Sequence, residues 1–339
     1  MIRGASGLSL VVGVNKPQGM SSHDVVNRVR KIFGERRVGH TGTLDPMAQG
    51  VLPICVGPAT RLDNYLVGHD KTYRARIAFG VSTTTEDAYG DVVLTEQVFP
   101  HELANADFAC QVLERFTGTF NQLPPAYSAI KVAGKKACDE ARRGTVIQLE
   151  PREVTVSKAE LLGVGTELGF EQELPYWDVL FEVSKGTYIR SLARDIGIAL
   201  ALPSHLSSLV RTQVGSLYLE DCVSLEALET YGTSAALDPI PLLGCRMFFA
   251  RDSLAQRIEC GNQLRPDDVE VYTMPSAQRR DACACTTGVR KSCMPLADGE
   301  LLAAVKDNAL KALYRYNEQK GILEASCVFQ IGVTRGSIV

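Results

Sequence analysis

Between Gly39 and Pro46 the chain reads Gly-His-Thr-Gly-Thr-Leu-Asp-Pro, a turn-forming run of small residues placed directly before an apolar stretch. Gly39 and Gly42 open backbone conformations that other residues resist, while Pro46 fixes its own φ and pushes Asp45 towards an extended state. Asp45 is thereby displayed on a loop rather than carried on a helix face. Alone, Leu-Asp-Pro-Met closes an ordinary turn, because aspartate bonds readily to the backbone two residues on. Any chemical role for Asp45 must therefore be argued from its surroundings.

Those surroundings alternate strands and helices. Leu8 to Val14 reads as a strand, followed by a helix that Ser22 can cap, with Val25, Val26, Val29, Ile32 and Phe33 on its apolar face. Val51 to Val56 reads as a buried strand, Ala59 to Leu66 as a short helix, and Thr72 to Phe79 as an alternating strand interleaved with Arg74 and Arg76. Helices are expected over Glu102 to Phe116, Lys135 to Arg142 and Tyr188 to Leu200, with strands over Val154 to Leu162 and Trp177 to Val183. Mixed order of this kind indicates an α+β fold. Gly232, Thr233, Ser234, Pro239 and Pro241 mark a boundary between Tyr231 and Leu243. Beyond it, the short runs Leu301 to Val305, Ala309 to Tyr314 and Ile322 to Phe329 suggest a small β-rich module, and Pro275 to Pro295 reads as an inserted loop.

With 339 residues and 45% hydrophobic content, the chain can bury the cores of two domains. No apolar run reaches a membrane-spanning length, and Met1 to Gly7 lacks the apolar segment of a signal peptide, so a cytoplasmic protein is expected. The ten cysteines are scattered and are expected to be reduced thiols. Cys283, Cys285 and Cys293 lack paired Cys-x-x-Cys spacing and a nearby histidine, and no glycine pattern fits a Walker or Rossmann loop. Neither a metal nor a nucleotide cofactor is implied. The net charge of −3 hides an uneven distribution: Lys16 to Arg76 carries ten basic residues against five acids. Lys131, Lys135, Lys136, Arg142 and Arg143 form a second basic cluster, suited either to a solvated helix face or to a phosphate track.

The longer run GHTGTLDPMAQGVLPICVGPATRL, Gly39 to Leu62, preceded by Asn15-Lys16-Pro17-Gln18-Gly19-Met20-Ser21-Ser22, closely resembles the signature of the TruB family of tRNA pseudouridine synthases. The resemblance recurs in order at Lys71 to Gly90, Pro124 to Gly144 and Val183 to Gly215. It implies a pseudouridine synthase catalytic domain over residues 8–231, with a central mixed or antiparallel sheet, flanking helices and an RNA-binding insertion at residues 91–152. A weaker likeness implies a PUA-like domain over residues 244–339. Asp45 becomes the essential carboxylate, and Arg190, in Lys-Gly-Thr-Tyr-Ile-Arg, its ion-pair partner. Tyr73, Tyr188 and Leu209 match active-site support positions. His40, Asp87, Lys16 and Lys131 are the expected RNA contacts, with His40 helping to displace and hold a flipped nucleotide rather than acting as a base. Three positions depart from the family pattern: Thr84 replaces an acidic residue, Ala126 a methionine, and Val210 the first of two arginines. The last leaves one phosphate contact missing or supplied from elsewhere.

The implied reaction breaks the N1–C1′ bond of uridine 55 in the T loop of tRNA, turns the base and rejoins it through C5. An anionic Asp45 can attack C1′, stabilise positive charge there or take a ribose proton; the residue types leave these routes open. The enzyme expected is a monomeric, cofactor-free isomerase with tRNA as partner and no membrane or protein partner. The alternatives are a guide-RNA-dependent synthase of a ribonucleoprotein and a tRNA-folding chaperone. The bacterial-type Pro124 to Lys131 segment argues against the first, and Asp45, Tyr73 and Arg190 together argue against pure binding.

Overall fold

In the computed structural model, residues 6–128, 130–132, 135–145, 148–274 and 289–336 are described. The chain divides into two units, one of Met1–Leu44, Val51–Gly68 and Gly215–Val339, the other of Asp45–Gly50 and His69–Val214.

In the first unit the helix Ser22–Phe33 is capped by Ser21, not by Ser22 as the sequence suggested. Ser21 and Asp24 cap one another reciprocally: Asp24 N donates to Ser21 Oγ at 3.1 Å and Ser21 N to the Asp24 carboxylate at 2.9 Å. Ser22 is left for another task, described below. Gly34, at φ 59°, closes the helix in the left-handed conformation. Val25, Val26, Val29 and Phe33 pack on Leu10, Val12 and Val14 of the strand Leu10–Lys16 and on Leu52, Ile54 and Val56 of the strand Gln49–Val56.

The C-terminal part of the same unit is the β-rich region the sequence suggested. Six strands run in the order Arg290–Lys291, Val271–Thr273, Arg246–Phe249, Leu301–Lys306, Ala309–Asn317, Ile322–Thr334. Phe248, Leu302, Ala312, Tyr314 and Leu323 form its core with Leu254 and Ile258 of the helix Asp252–Glu259. The sheet is tied to the N-terminal part by Thr334 N donating to Ser9 O at 2.8 Å, by Tyr65 Oη and Ser326 Oγ at 2.8 Å, and by Arg335 on buried Asp238 at 2.6 Å. The division at residues 231–244 is therefore one of sequence. In space these two stretches belong to one unit.

The second unit is a sheet of antiparallel strands in the order Ser204–Val214, Lys71–Phe79, Gln172–Val183, Arg152–Gly169, Gly118–Gln122. Gln49 and Gly50 add to it in parallel beside Val210 and Arg211. Gly50 is required there: it sits at φ +105°, and a Cβ would lie 2.1 Å from the Arg211 carbonyl oxygen. The hairpin Arg152–Gly169/Gln172–Val183 turns on Phe170 and Glu171, both at positive φ (50° and 65°), the hand that matches strand twist. Buried Trp177 anchors the sheet, edge-on to Phe79 with ring centroids 4.9 Å apart, its Nε1 donating to Leu103 O at 2.9 Å.

Residues 91–152 are not wholly a separate insertion, because Gly118–Gln122 pairs along Arg152 to Val156 as a member of the main sheet. The helix expected at Glu102 to Phe116 is a 3-10 turn, His101–Ala104, followed by the helix Ala106–Glu114. That expected at Lys135 to Arg142 is a short strand, Lys135–Lys136, followed by the helix Ala137–Arg142. The helix Ile189–Ala199 buries Leu192, Ala193 and Ile196, and Ser204 Oγ donates to Ala193 O at 2.8 Å.

Candidate active site

The backbone ahead of Asp45 is pinned by one hydroxyl. Ser22 Oγ accepts from Leu44 N at 2.8 Å and donates to Leu44 O at 3.0 Å, in a buried setting. After Asp45 the chain turns at once, with Ala48 N donating to Asp45 O at 3.1 Å. The displayed loop is thus held on both sides of the carboxylate.

Arg190 meets that carboxylate at two points, Nε to Oδ2 at 2.8 Å and Nη2 to Oδ1 at 3.0 Å. The guanidinium side chain is 5% exposed, the Asp45 side chain 34%, so the anion keeps an open edge while its partner is enclosed. Two further hydrogen bonds aim the guanidinium: Nη1 to Thr85 O at 2.9 Å and Nη2 to Tyr127 O at 3.1 Å. A planar fork with all three nitrogens committed has little freedom to rotate.

Asp87 lies beside the same arginine, its Oδ2 3.9 Å from Arg190 Nε. Its Oδ1 accepts from Thr85 Oγ1 at 2.6 Å and from Tyr89 N at 3.0 Å, so Asp87 also closes a local turn. Next to it, burial pushes the Glu86 carboxyl up while Arg194 and Arg190 draw it back. The structure thus brings Asp45, Asp87 and Arg190 together. Glu86 and Arg194 were missed in the sequence, although Arg194 lies one helical turn beyond Arg190.

Tyr73 and Leu209 are both buried and share one face of the sheet, since Tyr73 pairs with Arg211 and Ala75 with Leu209 in unbroken register. Val210 pairs with Arg74, whose exposed guanidinium stands across from the position where an arginine was expected. Tyr188 is the N-cap residue of the helix that carries Arg190. Its backbone exchanges hydrogen bonds with the Gln122 amide at 2.8 and 3.1 Å, its ring packs on Ile130, Ala137 and Leu149, and burial pushes its hydroxyl up.

Lys16, expected to contact RNA, is fully buried; its ammonium donates to Pro17 O at 2.9 Å and Met20 O at 2.5 Å. Its charge holds the loop ahead of the first helix, which corrects the expectation of a phosphate contact. His40 is half-buried on the strand Val38–His40 opposite Ile54. Lys131 belongs to the strand Lys131–Val132, and its side chain lies outside the described set. Cys283 and Cys285 also lie outside the described residues, whereas Cys293 is an exposed free thiol.

Lys71 is buried at the start of the Tyr73 strand and donates to His69 O. Burial, then the nearby Arg211, pushes its ammonium down from 10.5 to about 8. Between those values the unfolded chain binds a proton that the folded chain does not, so folding stability rises with pH across that window and is lost as pH falls through 8. Compared with Lys71→Met, the parent should gain at most about 3 kcal/mol between pH 8 and 10.5, read from denaturant midpoints. Parallel pH curves for the two proteins would show that Lys71 titrates normally.

Residues 30–189 match the model of the TruB family pseudouridylate synthase, N terminal domain. A tRNA pseudouridine synthase B from Geobacillus kaustophilus is 41% identical over 261 residues, covering 75% of this chain and 90% of the relative. Another from Symbiobacterium thermophilum is 45% identical over 240 residues, covering 71% and 77%. Among solved structures, a chain of an H/ACA RNP bound to a substrate RNA containing 2'-deoxyuridine superposes with a TM-score of 0.63 at 23% identity, over 95% of this chain and 85% of that one, a likeness of fold. The signature loop, the two-point pairing of its aspartate and the extent of these matches together place the chain in the TruB family of pseudouridylate synthases.

Proposed function

We propose that this chain is an isomerase that converts uridine to pseudouridine in tRNA, at position 55 of the T loop, acting alone on free tRNA in the cytoplasm. The observation that carries this reading is the two-point clamp of Arg190 on a partly open Asp45. The clamp fixes the orientation of the carboxylate and leaves one edge of it open to a substrate. An extruded uridine places C1′ at the open edge of Asp45. Tyr73 stacks on the base and its hydroxyl serves proton exchange at C5. Leu209 supplies an apolar wall, Tyr188 fixes the start of the Arg190 helix, and Asp87 holds the flipped nucleotide; His40 is a further RNA contact. The basic Lys131 to Arg143 segment tracks phosphates, and the C-terminal sheet adds a PUA-like RNA surface.

The relatives' name, tRNA pseudouridine synthase B, supports the substrate class. Among the described residues no helix is long and apolar enough to cross a membrane. The test is incubation of the purified chain with an unmodified tRNA transcript, followed by pseudouridine mapping. One pseudouridine at position 55 is expected, and none in a transcript carrying cytidine there. Modification that requires an added guide RNA or protein partner would overturn the stand-alone reading.

A further inference from the structure

Arg190 and Arg194 lie one turn apart on the helix Ile189–Ala199, so they share a face. They reach the same two segments of chain. Arg190 donates to Thr85 O at 2.9 Å and Tyr127 O at 3.1 Å; Arg194 donates to the Glu86 carboxylate at 2.7 Å and Leu123 O at 2.9 Å. Arg194 also holds its neighbour Asp195 at 2.8 Å. Its bonds thus run to Glu86, Leu123 and Asp195, with Asp45 left to Arg190.

Glu86 sits at φ 62°, a left-handed conformation that a residue with a Cβ adopts only when held. Its backbone is held by Glu86 N on Thr83 O at 3.1 Å and Leu206 N on Glu86 O at 3.0 Å. Its carboxylate is held by Arg194 and by Ser191 Oγ at 3.3 Å. The consequence lies in the peptide between Thr85 and Glu86. That plane carries the carbonyl on which Arg190 Nη1 rests, and rotation about φ of Glu86 swings it.

We propose that Glu86 and Arg194 are a positioning pair for the reaction: by locking the Thr85–Glu86 peptide plane they hold Arg190 in register with Asp45. This rests on the catalytic reading of Asp45 given above. A pair that merely fastened helix to loop would affect stability and leave the rate of folded enzyme alone.

The test uses the full chain, with single-turnover pseudouridine formation at saturating enzyme, tRNA affinity by filter binding, and thermal unfolding. Arg194→Ala should slow the chemical step by about 100-fold, the cost of a misplacement near 1 Å, with tRNA affinity within about threefold of the parent. Glu86→Gln, which keeps the shape, should slow it by about tenfold, and Arg194→Lys should recover part of the loss. The double variant should be no slower than Arg194→Ala, because one device has been removed twice. Parent-like rates in folded Glu86→Gln and Arg194→Ala, or losses that multiply in the double variant, would overturn the proposal. If Arg194→Ala does not fold, parent-like rates in both Glu86→Gln and Arg194→Lys do the same. Asp45→Asn separates the two readings. Turnover in Asp45→Asn defeats the catalytic assignment, whereas an inert Asp45→Asn beside fully active Glu86→Gln and Arg194→Ala defeats only the positioning role.

Discussion

Asp45→Asn should abolish turnover, with single-turnover pseudouridine formation down by at least about 1,000-fold and tRNA affinity within about tenfold of the parent. The substitution preserves volume and the turn that follows, since the Ala48 N to Asp45 O bond is made by backbone. It removes the anion, and it also breaks the match with Arg190. The guanidinium presents one donor to each carboxylate oxygen, at 2.8 and 3.0 Å, whereas an amide offers one acceptor and sets its NH2 against the other donor. Arg190 still holds the Thr85 and Tyr127 carbonyls, so the fold should survive and an unfolding scan should show it. Substantial product from Asp45→Asn, in a preparation free of host enzyme, would remove Asp45 from its central place.

What could be read in the sequence was chemistry carried by contiguous motifs. Asp45 lies in one uninterrupted signature and Arg190 in another, so their pairing across the fold followed from two local matches. The α+β order was legible too, because the strand at Lys71–Phe79 alternates and the helix at Ser22–Phe33 has an apolar face. What stayed hidden depended on competition between like residues or on distant partners. Ser21 and Ser22 are equally good caps on paper; Leu44 recruits the second and leaves the cap to the first. Lys16 looks like a phosphate contact until two nearby carbonyls enclose it. Thr334 and Ser9 meet from opposite ends of the chain, a pairing that no local pattern announces.

Arg190→Lys should be nearly as damaging as losing the arginine, slowing the chemical step by about 100-fold or more while tRNA binding changes little. The charge survives, so a purely Coulombic role would be preserved. The geometry does not survive. Arg190 makes four hydrogen bonds from three nitrogens spread over a plane, to both Asp45 oxygens and to the carbonyls of Thr85 and Tyr127. A lysine ammonium has three donors radiating from one atom and cannot span two carboxylate oxygens and two carbonyls together. Whichever carbonyl it abandons is left unsatisfied beside a site that is 5% exposed at the arginine, and Asp45 loses its fixed orientation. Combined with Asp45→Asn, the lysine variant should add no further loss, because the two residues act as one unit. Single-turnover rates within about threefold of the parent in Arg190→Lys would show that charge, and not the two-point grip, is what Asp45 requires.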